Sequence, residues 1–303
     1  MCVLFASLRS LERAENLKAI YDAYDGEKQY VHRSYHGVIE DLHSGKYRLI
    51  VADELLDDTP GKWIFIGHGM GAGKTYGFDY PRPYFHRPDL ITYAIASSKD
   101  MVPHVAKQLG IPESKVVPLG MPRTDAYFNM KPDHKKEKNH LYVPTFRRED
   151  GGAGWLPDLN LVWRLLPEGH KFIVKPHIFT GNPVISVWSN IATGSAFEPS
   201  TPYLINADTV VTDYSSIMFD AMVLRKPVVL FAKDKEAYMR NRGMYCEYPG
   251  GYSQRYAETE EQMVKEIQEA QWNDFDEERR EHFCGACDGH SIERLIELIR
   301  GVL

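Results

Sequence analysis

Four cysteines in 303 residues, Cys2, Cys246, Cys284 and Cys287, are too few for a disulfide framework at this length. Cys284 and Cys287 form a CxxC pair, but with only His282 and His290 near them in sequence they read as ordinary thiols, not as a metal centre. No window approaches the ~20 apolar residues that a membrane span needs. The apolar run at the N-terminus meets Arg9 and Glu12 early, which argues against a secretory signal, so a cytoplasmic protein is expected. An excess of positive charge is missing too: 36 Lys and Arg stand against 42 Asp and Glu, giving a net charge of −6 and a pI near 6.1. That balance excludes coating of nucleic acid by bulk charge and makes any phosphate recognition local. Internal repeats and low-complexity tracts are also absent from the sequence.

What is present is the composition of a globular enzyme or binding protein, 43% hydrophobic and 26% charged. A chain of this length exceeds what one core usually serves, so two domains of roughly 130 to 160 residues are expected. Short apolar runs alternate with helix-like segments, the pattern of an α/β fold. Expected strands are Cys2 to Phe5, Tyr47 to Ala52, Trp63 to Ile66, Ile91 to Ala96, Val116 to Leu119, Leu141 to Val143, Phe172 to Val174, Val210 to Val211 and Val228 to Phe231. Their continuous apolar character suits parallel strands covered on both faces. The polar, Lys-rich stretch KPDHKKEKN, Lys131 to Asn139, reads as the linker, with an N-terminal domain over 1–134 and a C-terminal domain over 135–303. Ile292, Leu295, Ile296 and Ile299 recur at helical spacing and predict an amphipathic helix near the end.

The densest signal is TDYSSIMFDAMVLRKPVVLFAKDKEAY, Thr212 to Tyr238. It reads as a strand, a helix start at Asp213, Ser215 and Ser216, and a second strand, hence a βαβ unit whose ligand would sit beyond the strand's carboxyl end. Free amides, two hydroxyls and the positive end of the helix dipole suit a phosphate or pyrophosphate there. Capping of the helix alone is the competing reading of the same residues. Other strands end in comparable groups. Trp63 to Ile66 leads into Gly67, His68 and Gly69; Val116 to Leu119 into Gly120, Pro122, Arg123 and Asp125. Leu141 to Val143 leads into Thr145, Arg147 and Arg148, and Phe172 to Val174 into Lys175, Pro176 and His177. If two sheets face each other, these histidines and arginines gather around a phosphorylated donor.

Two rival readings of GHGMGAGKTYG, Gly67 to Gly77, are weak. It contains GKT, yet a phosphate-binding P-loop needs Gly where His68 stands, and an imidazole would crowd the cradle. As a dinucleotide fingerprint it meets only the relaxed form with Gly67, Gly69 and Ala72, and Pro81 and Pro83 interrupt the helix that should follow.

TDYSS with its following strand, RGMYCEYPGG (Arg242 to Gly251), DGHSIERLIELI (Asp288 to Ile299), GHG with Lys74 and Gly77, LGMPRTD, PTFR and KPH together resemble the CDP-glycerol glycerophosphotransferase family, which includes teichoic-acid glycerol-phosphate primases and polymerases. The resemblance runs from about Trp63 onward. It implies an α/β fold of two Rossmann-like domains facing a central cleft, the GT-B type, acting without a metal or other cofactor. It implies transfer of glycerol phosphate, or a related polyol phosphate, from a CDP-activated donor to a hydroxyl of a glycan or polyol-phosphate acceptor, lipid-linked or free, with release of CMP. Carried over position by position, His68 matches the general base and His177 the group steadying the donor phosphates. Ser215, Ser216, Asp213, Lys175 and Arg147 fall on the donor side, and Arg123 and Lys74 on the acceptor side of the cleft. Gly67 in front of the first HG, and Met70-Gly71 behind it, depart from the Trp and Thr-Pro common in the family, which bears on the acceptor. No long basic amphipathic helix is evident, so location divides between the cytoplasm at large and peripheral association with the inner face of the cell membrane. The alternatives are a GT-B glycosyltransferase or epimerase using a UDP- or other nucleotide sugar, whose pyrophosphate is the same, and a noncatalytic nucleotide-binding protein.

Overall fold

The computed structural model describes residues 2–7, 10–32, 47–53, 61–67, 69, 88–133, 136–146, 156–177 and 189–303. The chain begins β1 (Val3–Ser7), α1 (Glu15–Ala23), β2 (Lys28–His32), β3 (Leu49–Ala52), β4 (Lys62–Phe65), β5 (Ile91–Ile95), α2 (Val102–Leu109), β6 (Val116–Val117) and a 3-10 helix over Pro122–Phe128. It continues β7 (Lys138–Tyr142), α3 (Leu159–Leu165), β8 (His170–Val174), β9 (Ile191–Thr193), α4 (Thr201–Ile205), β10 (Thr209–Thr212), α5 (Ile217–Val223) and β11 (Val228–Phe231). Then come α6 (Lys235–Asn241), β12 (Tyr256–Ala257), α7 (Glu260–Glu269), α8 (Asp274–Cys284) and α9 (Ser291–Val302). Two compact units result, Met1–Asn129 with Glu281–Leu303, and Met130–Arg280.

In the first unit the sheet order is β2-β1-β3-β4-β5-β6, and every pairing is parallel. Every residue of β1 and of β3 is buried, as the unbroken apolar runs require of strands covered on both faces. Leu4, Ala6, Val31, Ile50, Ala52 and Trp63 join in one apolar cluster. The strand order reverses between β1 and β3, which places a topological switch point at their carboxyl ends.

In the second unit the order is β12-β11-β10-β7-β8-β9, again parallel throughout. Counted from its own first strand this is 3-2-1-4-5-6, the doubly wound dinucleotide-fold order, with the switch between β7 and β10. Tyr142, Phe172, Val174, Val211, Val229 and Phe231 form its core with Met263, Val264 and Ile267 of α7.

Two expectations are corrected here. The tail belongs to the first unit, not to a C-terminal domain over 135–303, and the border falls between Asn129 and Met130 rather than at 134/135. The physical reason lies in the hydrogen bonds. Asp125 accepts the amides of Ser291 (3.1 Å) and Ile292 (2.7 Å), Arg294 donates to the Leu119 carbonyl (2.9 Å), and Lys62 Nζ reaches the Val302 carbonyl (2.8 Å). Three strands were also not anticipated, β2, β9 and β12, and each lies at a sheet edge. An edge strand needs no apolar cover on both faces, so KQYVH, IAT and YA carry no run of the kind that marks the central strands.

Candidate functional site

At the switch point of the second unit the loops after β7 and β10 are tied together. The Val143 amide donates to the Val211 carbonyl (2.9 Å) and the Thr212 hydroxyl to the Val143 carbonyl (2.5 Å). Asp213 follows, 2% exposed. Its carboxylate accepts the Thr145 amide at 2.8 and 3.1 Å and the Tyr214 amide at 2.5 Å. The sequence places Asp213 at a helix cap or on a donor phosphate; the structure has it turned inward as a clamp between two strand-end loops. Carboxylates accept several backbone N–H groups with charge-assisted strength, which compensates the burial.

Ser215 and Ser216 then open α5. Ser215 is half-buried, and its hydroxyl takes the Ile217 amide at 3.4 Å; Ser216 is exposed at the cap position and makes no side-chain cap bond. Behind them lies a tyrosine scaffold. Tyr214 stacks on Tyr238 with ring centroids 3.6 Å apart and donates to Asp234 at 2.9 Å. Burial first, and the Asp234 carboxylate second, hold its phenol far above the ordinary value, so it stays a proton donor. The Tyr248 hydroxyl donates to the Asp213 carbonyl (3.2 Å), which brings RGMYCEYPGG behind the TDYSS turn.

Beyond β8, His177 is half-buried and its imidazole stacks on Phe146 of the neighbouring loop, centroids 5.8 Å apart and planes at 25°. Lys175, expected among the donor-phosphate ligands, is 3% exposed, with its ammonium 5.8 Å from the Tyr203 ring centroid. An aromatic face already offsets part of that buried charge. Tyr203 in turn donates to Glu198 and accepts the Ser195 amide.

The first unit carries a second set. Gly67, with φ of +63°, makes the turn after β4, a conformation that side chains rarely adopt. Its carbonyl accepts from Asn16 Nδ2 (2.9 Å), and Asn16 Oδ1 accepts the Arg123 amide (3.2 Å). Arg123 is half-buried at the start of the 3-10 helix. Gly120, just upstream, has φ of +82° and no room for a side chain, since a Cβ would lie 2.3 Å from the Ala286 carbonyl. Cys284 and Cys287 are both buried in this unit, Cys287 with its thiol 3.8 Å from the Ser97 carbonyl. His68, Lys74 and Arg147 lie outside the described residues. Among the sequence candidates, then, Asp213, Ser215 and Ser216 come together at one turn, with His177 and Lys175 after β8, while Asn16 was not anticipated. Among the described residues, no helix is long and apolar enough to cross a membrane.

Comparison with known proteins places this geometry. The chain is 29% identical over 263 residues to a teichoic acid poly(ribitol-phosphate) polymerase of Bacillus spizizenii, covering 78% of this chain and 42% of that protein. It is 25% identical over 272 residues to a teichoic acid glycerol-phosphate primase of Bacillus subtilis, covering 80% and 68%. The chain thus spans under half the length of the polymerase. Among solved structures, the wall teichoic acid polymerase TagF superposes with a TM-score of 0.79 at 17% identity, covering 99% of this chain and 88% of that one. A UDP-GlcNAc 2-epimerase from Neisseria meningitidis, bound to UDP-GlcNAc, superposes at 0.63 with 15% identity, covering 99% and 100%. Identities this low speak for the fold alone, two Rossmann-like units of the GT-B type. Residues 50–301 match the sequence model of the CDP-Glycerol:Poly(glycerophosphate) glycerophosphotransferase family, and with most of its length inside that match the chain belongs to this family.

Proposed function

We propose that the protein transfers glycerol phosphate, or a related polyol phosphate such as ribitol phosphate, from a CDP-activated donor to a hydroxyl of a glycan or polyol-phosphate acceptor. The observation that carries this reading is the Asp213 clamp and serine turn at the switch point of a 3-2-1-4-5-6 sheet, in a chain of this family. A switch point is where nucleotides bind in doubly wound sheets, and the exposed Ser216 and half-buried Ser215 are polar groups at it. His177, rigidified by its stack on Phe146, steadies the donor phosphates, together with Arg147, which follows Phe146 in the chain; Arg123 and Lys74 serve the acceptor side. Asp213 supports the site from behind, through the two loops it joins.

In the reaction His68 takes the proton of the acceptor hydroxyl as its oxygen attacks the β-phosphorus of the donor. The new P–O bond forms as the bond to CMP breaks, and CMP leaves with the electron pair. A base with a pKa near neutrality suits that proton transfer, and fixed cations and hydroxyls offset the charge growing on the leaving phosphate. Relatives with ribitol-phosphate and with glycerol-phosphate names match this chain alike, which keeps both polyols in the donor panel. The acceptor is lipid-linked or free, and a lipid-linked one would bring the protein to the inner membrane face.

The test is thermal unfolding with CDP-glycerol, CDP-ribitol, CDP, UDP, UDP-sugars and magnesium-ATP, followed by a CMP-release assay. Stabilisation by cytidine ligands is expected, at about 2.7 kcal/mol when ligand stands at about 100 times its dissociation constant. His68→Ala should abolish CMP release while leaving that stabilisation in place. Preference for UDP-sugars would transfer the protein to the nucleotide-sugar enzymes, and unchanged turnover in His68→Ala would remove that residue as the base.

A further inference from the structure

Asn16 lies in the first turn of α1, the helix that follows β1 at the switch point of the first unit, and is 1% exposed. The two ends of its carboxamide do different work. Nδ2 donates to the Gly67 carbonyl at 2.9 Å, and Oδ1 accepts the Arg123 amide at 3.2 Å. One buried side chain thereby joins the loops that follow β1, β4 and β6, segments separated by 51 and 107 residues in sequence. An amide side chain donates at one end and accepts at the other while remaining neutral at every ordinary pH. A carboxylate would set an oxygen against the Gly67 carbonyl, and alanine would leave two part-buried backbone groups without this partner.

We propose that Asn16 is a positioning residue, which holds the Gly67 turn and the Arg123 helix start in the relation the acceptor side requires. The proposal rests on the transfer reaction proposed above. Gly67 directly precedes His68 in the chain, and Arg123 is the cation assigned to the same side, so one amide governs the carriers of both groups. Displacement of such a strut by a fraction of an ångström costs rate rather than donor affinity, because the donor groups lie in the other unit.

The experiment compares Asn16→Ala and Asn16→Asp with the full-length wild type for CMP release, KM and kcat, unfolding midpoint and the shift induced by the CDP donor. A fall in kcat of about 10- to 100-fold is expected with the donor-induced shift retained. In an Arg123→Ala background, Asn16→Ala should lose less than it does in the wild type, since coupled residues are non-additive. Asn16→Asp retains the acceptor for the Arg123 amide, so it supplies the kinetic reading even where the alanine variant fails to fold. A lowered midpoint with kcat unchanged per folded molecule would reduce Asn16 to a packing residue and overturn the proposal, as would fully additive losses. Wild type that neither releases CMP nor responds to cytidine ligands would instead remove the transfer reading, and this proposal with it.

Discussion

Asp213 shows how one carboxylate can be taken for a ligand and turn out to be a brace. Its partners are the amides of Thr145 and Tyr214, and a buried amide that loses its acceptor costs about 1–3 kcal/mol. Asp213→Ala is therefore expected to lower the unfolding midpoint of the second unit and to erase the cytidine-induced shift, because the serine turn is no longer anchored to the loop after β7. Asp213→Asn, which keeps one acceptor oxygen, should fall between. Urea unfolding followed by tyrosine fluorescence, with and without CDP, checks both; a variant of wild-type stability would show that the clamp is not needed. The sequence could not distinguish these roles, since Asp before a serine pair caps, binds or clamps equally well, and Thr145 stands 68 residues away. Asn16 was illegible for the same reason: both its partners are distant backbone groups. What could be read was residue chemistry fixed by its place after a strand. Ser215, Ser216 and His177 all lie beyond carboxyl ends, as expected.

Among the elements, the central strands were legible because parallel strands buried on both faces demand unbroken apolar runs, and VLFAS, LIVA and VVLF supply them. Edge strands and partner choice were not. The amphipathic period of α9 announced a helix with a buried stripe, and Leu295 and Ile299 are fully buried, but periodicity does not say which unit receives the stripe. Asp125 answers that through the helix's N-terminal amides, where a carboxylate both accepts the otherwise unbonded N–H groups and complements the dipole. Asp125→Ala should cost about 1–2 kcal/mol and loosen α9 first. Hydrogen exchange would report this as faster exchange at the Ser291 and Ile292 amides with little change in β7 to β11; equal loosening of both units would contradict the assignment of the tail to the first.

At the scale of the whole molecule, titratable groups act on stability in different pH windows, and in the second unit His170 and Glu277 fall in two of them. His140 is 1% exposed, and its Nε2 lies 3.0 Å from His170 Nδ1 on the adjacent strand, so one ring donates and the other must keep its lone pair. Burial first, and Lys138 second, hold the His170 pKa below the ordinary 6.5. A histidine depressed in the folded state binds fewer protons there than in the unfolded chain. Above pH 6.5 it is neutral in both states and contributes no slope; as pH falls below 6.5 the unfolded state gains protons first and stability declines. Glu277 works in a lower window. The Arg225 hydrogen bond, with Arg280 and Trp272 in support, brings its pKa to about 2 from an ordinary 4.5, so its contribution persists above 4.5 and is lost only as pH falls toward 2. The Glu277 side chain is 39% exposed, enough for solvent to screen much of that contribution, so the histidine pair should govern the first acid weakening of the second unit. Urea midpoints of the wild type are expected to fall between pH 7 and 5, and His170→Asn, which cannot titrate, should flatten that slope while leaving the decline below pH 4.5 in place. An unaltered slope in the variant would move the acid sensitivity away from the β7–β8 pair.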